Sequence, residues 1–82
     1  MDINQATQKV EEFLASYVGH GGKKAKELRV RPSGDDQNEI KVWADLGGGV
    51  SDDACEAWAA QCQKDAASAA AGFQLHVRAE SL

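Results

Sequence analysis

Every regularly patterned stretch of this 82-residue chain is apolar on one side only. Two stretches repeat at three- and four-residue steps, the spacing of one helix face: Ile3, Ala6, Val10, Phe13, Leu14 and Tyr17, then Cys55, Trp58, Ala59, Cys62, Ala66 and Ala69. Three stretches alternate, the spacing of a half-buried strand. They are residues 26–31 with Leu28 and Val30 on one side, 39–46 with Ile40, Val42, Ala44 and Leu46, and 73–79 with Phe73, Leu75, Val77 and Ala79. One-sided elements are stable only when their apolar faces meet. The pattern therefore predicts an α+β fold: a two-layer sandwich of αββαβ order, with a three-stranded mixed sheet and two helices packed on one face. A chain of this length is read as a single domain over residues 1–82.

Local signals predict the boundaries. Asp2 caps the first helix with Gln5 three residues on, in a capping-box arrangement. Gly19 is expected to end that helix after residue 18 as a left-handed C′ residue, with His20-Gly21-Gly22 extending the break as a flexible loop. Pro32 to Asn38 is dense in turn formers and predicts a hairpin loop. Gly47-Gly48-Gly49 breaks the second strand. Ser51 caps the second helix, whose first turn carries Asp52 and Asp53 where the helix dipole favours them. The alanine-rich run predicts helix over 52–71, stopped by Gly72. The first two strands form an antiparallel hairpin, and the second helix is a crossover that makes the third strand parallel to the second. Whether those two are neighbours stays open. The same element order occurs in ring-building modules of secretion assemblies and, loosely, in some nucleic-acid-binding folds, an analogy of order that carries no function.

Composition narrows the classes. Apolar content of 43% and charged content of 27% are ordinary for a globular domain. No apolar run is long enough to span a membrane. The start, Met1-Asp2-Ile3-Asn4-Gln5, lacks the basic and apolar regions of a signal peptide. Cys55 and Cys62 fall on one helix seven residues apart, with Cα atoms roughly 10 Å from each other. A disulfide needs Cα atoms within about 7 Å, so the two do not pair, which fits a reducing, cytoplasmic location. So short a chain has no room for a deep cleft between two lobes, which lowers the expectation of catalysis.

Net charge is −4, unevenly spread. Residues 19–31 hold Lys23, Lys24, Lys26, Arg29 and Arg31 against Glu27 alone; residues 32–65 hold eight acids against Lys41 and Lys64. Overall acidity argues against a general nucleic-acid binder. The candidate surface is the outward face of the sheet. It displays Arg29, Arg31, Lys41, Trp43, His76 and Arg78, with Gln74 and the acids Glu27, Glu39, Asp45 and Glu80 among them. Three readings compete: a solvated face of cross-strand ion pairs, a protein interface built on Trp and Arg, and a base-stacking platform for single-stranded nucleic acid. One aromatic among four acids is poor for the last.

Other features carry less. Gly47-Gly48-Gly49 resembles a phosphate loop only superficially, because Asp52 stands where the third spaced glycine belongs and Asp53 also repels an anion. Gly19-His20-Gly21-Gly22-Lys23-Lys24 follows a helix and lacks the Ser/Thr of a P-loop. Two cysteines two helical turns apart do not share a zinc ion, and with His20 and His76 alone besides, no metal site is expected. A Cys–His nucleophile pair would need His76 to cross the sheet. Ala57, Ala60, Lys64, Ala67 and Ala71 form a stripe of small residues that suits close helix approach in a homodimer, although helix propensity alone explains it. The sequence thus predicts a small non-enzymatic protein-interaction or assembly module with no cofactor. Its partner is another protein or a second copy, single-stranded nucleic acid is the alternative ligand, and no membrane is involved.

Overall fold

A computed structural model describes residues 1–82. Its elements are helix α1 (Ile3–Leu14), strands β1 (Glu27–Pro32) and β2 (Glu39–Asp45), helix α2 (Asp52–Asp65) and strand β3 (Gln74–Glu80). The sheet order is β1-β2-β3, so β2 is central. β1 and β2 pair antiparallel, with Arg29 opposite Trp43 and Arg31 opposite Lys41. β2 and β3 pair parallel as neighbours, with Trp43 beside Arg78 and Lys41 beside His76. The αββαβ order and the mixed sheet are as the patterning requires.

All strands send their apolar side chains to one face. There Val30, Ile40, Val42, Ala44, Leu75 and Val77 join Ala6, Val10 and Leu14 of α1 and Cys55, Trp58 and Cys62 of α2 in one buried cluster. α1 packs over β1 and α2 over β3. The molecule is 18 Å across its thinnest dimension, room for a sheet and one helix layer about 10 Å thick but not for a second layer beyond the sheet. The opposite sheet face is therefore bare. No helix is long and apolar enough to cross a membrane.

Both predicted caps form. The Asp2 carboxylate accepts from Gln5 N at 2.8 Å while the Gln5 side chain accepts from Asp2 N. The Ser51 hydroxyl accepts from Ala54 N at 3.2 Å.

The far ends of the helices differ from expectation. α1 ends at Leu14 rather than residue 18, and Phe13, placed on the core stripe by spacing, is exposed. Gly19 is not left-handed: its backbone is extended, at φ −102°. Its lack of a side chain matters for another reason, since a Cβ there would lie 2.5 Å from Trp58 Nε1. His20–Gly22, in the break expected there, forms a 3-10 turn. α2 stops at Asp65, and residues 66–71 continue as tighter turns with bonds such as Ala69 N to Ala66 O. The small-residue stripe is thereby interrupted, with Ala67 and Ala71 beyond the regular helix and Ala71 at φ +53°. Pro32 belongs to β1, not the hairpin loop. It lies at the strand's end on a sheet edge, where proline costs no internal ladder bond.

Candidate interaction surface on the open sheet face

Register turns the alternating polar residues of three strands into ordered rows. One row is acidic, Glu27–Asp45–Glu80. The next is Arg29–Trp43–Arg78, and the one beyond it is Arg31–Lys41–His76. Glu39 and Gln74 close the far end. The six residues singled out by sequence therefore lie in two adjacent rows. Acid is gathered at one end of the face, apart from Glu39 at the other.

Trp43 stands at the centre, partly buried and held from both sides. Its Nε1–H donates to Glu80 Oε2 at 3.0 Å, and Arg29 Cζ lies 5.5 Å from its ring centroid, in cation–π range. Arg78 pairs with the other Glu80 oxygen at 2.7 Å, and Arg29 with Glu27 at 3.5 Å. The guanidinium pairs are well exposed, 59% at Arg29 and 70% at Arg78, so each contributes little to stability in water. The indole itself is positioned by its bond to Glu80, with Arg29 beside the ring. Arg31 and Lys41 enter no ion pair. With Trp43, His76 and Arg78 they border a shallow open depression. The Glu80 anchor of Trp43 was not apparent from sequence, because the two residues are 37 apart and meet only through the parallel register.

Asp45 is an acid in the row but also a structural one. Its Oδ1 accepts from Gly47 N at 2.8 Å and from Leu82 N at 3.3 Å, tying the β2 exit to the chain end. Ser81 joins the same knot, accepting from Val50 N and donating to Gly47 O. The triple glycine is thus a turn, with Gly47 and Gly49 at φ +83° and +80°.

A second polar group sits at the helix ends. The Tyr17 hydroxyl donates to Asp65 Oδ2 at 2.6 Å, and Gln61 Nε2 donates to Asp65 Oδ1 at 2.8 Å. Tyr17 also packs edge-on against Trp58, with ring centroids 5.7 Å apart. Burial, and then the bond to Asp65, raise the Tyr17 phenol above its ordinary range. Burial, with Asp65 nearby, pushes the Cys62 thiol up to about 12. Both shifts disfavour the ionised nucleophile, and the contacts tie the segment after α1 to α2. Cys55 and Cys62 are free and buried on the inner side of α2, whereas His76 is exposed on the outer sheet face. No three His, Cys, Asp or Glu side chains cluster as a metal site would need.

Compared with protein-family models, curated proteins and solved structures, the chain matches none.

Proposed function

We propose that this chain is a non-enzymatic protein-interaction module whose contact surface is the open sheet face around Trp43. The observation that carries the reading is an indole, partly exposed and hydrogen-bonded to Glu80, at the centre of a face that no element covers, with unpaired Arg31 and Lys41 beside it. A pre-ordered aromatic loses little entropy on burial, and Trp and Arg dominate the energetics of protein interfaces. The two free cations select an acidic counterpart. Nucleic acid fits less well, because Arg29 lies over the indole a base would stack on and the Glu27–Asp45–Glu80 row repels a phosphate chain. The catalytic alternative lacks a basis, since the thiols face inward and His76 outward. Two free buried thiols support a reducing, cytoplasmic setting.

The two tryptophans make the test specific, since each indole N–H gives its own amide-type NMR signal. Trp43 donates to Glu80 and Trp58 to Lys23 O at 2.8 Å. On titration of the labelled protein with a Glu/Asp-rich peptide, the Trp43 indole and the Arg31, Lys41 and His76 amides should shift while the Trp58 indole stays. Trp43→Ala should remove the response with the far-UV circular dichroism unchanged. Tighter binding of an oligothymidylate at the same residues would transfer the face to nucleic acid. Silence toward both probes in a chain that also does not associate with itself would end the reading.

A further inference from the structure

The outer face carries its charges in an order that makes it complementary to itself. Along the strands the rows run acidic (Glu27, Asp45, Glu80), then central (Arg29, Trp43, Arg78), then cationic (Arg31, Lys41, His76). Adjacent rows are two residues apart, roughly 6.7 Å. A two-fold axis lying in the plane of the face, along the central row, exchanges the rows on either side of it. It therefore sets the acidic row of one copy over the cationic row of the other, twice.

Resting on the interaction reading above, we propose that the partner of this face is a second copy of the same chain, stacked face to face with its strands antiparallel. Trp43 of each copy lies opposite its mate at the centre, with Arg29 still beside each ring. Glu27 faces the mate's Arg31 and Asp45 faces the mate's Lys41, so the two cations that lack a partner within one chain gain one. The alternative two-fold, along the strands, sets acid over acid and cation over cation. The central row does place Arg29 over Arg29 and Arg78 over Arg78, but each arginine carries its own carboxylate, Glu27 or Glu80. Stacked sheets cross at about 30°, a displacement of a few ångströms at the corners that long Arg and Glu side chains span.

Size sets the strength. Three strands of six or seven residues present a footprint of roughly 14 by 20 Å, so the buried area falls below the ~1,200 Å² of a standard stable interface. The dimer is accordingly weak, concentration-dependent and sensitive to salt, like other contacts steered by exposed charge.

Charge exchange between Glu27 and Arg31 tests the arrangement. Both are exposed and on the same strand, where substitutions leave the fold essentially intact. Molar mass is followed by light scattering up to about 1 mM chain at low salt, the range where a contact of this strength populates the dimer. The wild type should rise toward the dimer mass and fall back on adding salt. Arg31→Glu alone and Glu27→Lys alone should each weaken association at least tenfold. An equimolar mixture of the two variants should associate again, because each reversed residue then meets its complement. The double exchange in one chain should restore self-association. A wild type that stays monomeric overturns the dimer and leaves the peptide titration to decide the broader reading. Single variants that associate like the wild type, or a mixture that does not recover, also overturn this arrangement.

Discussion

Gly19 and Trp58 show how one residue's absent side chain decides a core. Trp58 is 1% exposed and satisfies its single donor on Lys23 O at 2.8 Å, which draws the loop after α1 across the indole. Because Gly19 is extended, alanine meets no backbone strain there; the cost is steric, from a Cβ 2.5 Å from Nε1. Gly19→Ala should therefore lower stability by about 1–3 kcal/mol, the range for forced overpacking, read as a lower urea midpoint. Cys62 makes a pH-dependent counterpart. Its thiol ordinarily titrates near 9.0 but near 12 when folded, so only the unfolded chain loses the proton between those values. Its contribution to stability is complete below pH 9 and drains away as pH rises toward 12. The raised Tyr17 phenol acts in the same direction. Unfolding midpoints should fall from pH 8 to 10.5, and Cys62→Ala should flatten part of that slope.

At the scale of elements, the starts of the helices follow local chemistry and the ends do not. Ser51 and Asp2 satisfy donors within three residues, which sequence spacing reveals directly. Ser51→Ala should cost about 1 kcal/mol, measured by chemical denaturation. The alanine run after Asp65 has the best helix propensity available, yet the regular helix stops. Six more residues of straight helix would carry the chain about 9 Å farther along the axis. Instead Gln74 N must reach Asn38 O at 2.7 Å to open the parallel pairing. Tight turns ending at Gly72, φ +92°, make that reversal. α1 stops early for a similar reason, since Tyr17 folds back onto Trp58 and Asp65. At the free edge of β3, Val77 N donates to Gln63 Oε1 at 3.3 Å, so α2 covers one of the edge donors that invites strand addition.

For the whole molecule, all five elements contribute to one buried cluster, and none retains a core when separated from the others. Unfolding should accordingly be a single transition, with tryptophan fluorescence and far-UV circular dichroism superimposing and a urea slope of roughly 1 kcal/mol per molar. Two displaced curves would show that α1, which packs chiefly on β1, opens by itself. The same arrangement places every apolar face inward and leaves one sheet face bare. The face proposed for interaction is thus open because the fold has two layers rather than three.

Patterning alone determined the element order, the apolar side of each element, both helix caps and the outward placement of Arg29, Arg31, Lys41, Trp43, His76 and Arg78. Those properties are local: they depend on periods of 2 and 3.6 and on side chains reaching three residues along the chain. What the tertiary structure decided is nonlocal. It set β2 beside β3, the pinning of Trp43 by Glu80, the helix ends, and the sorting of acids and cations into rows. A strand's sequence specifies which residues share its outer face. Which of them stand side by side depends on pairing register, and a shift of two residues would leave every apolar residue inward while moving Trp43 out of line with Arg29 and Arg78. Only the packing of helices on the inner face and the lengths of the connections select between such registers.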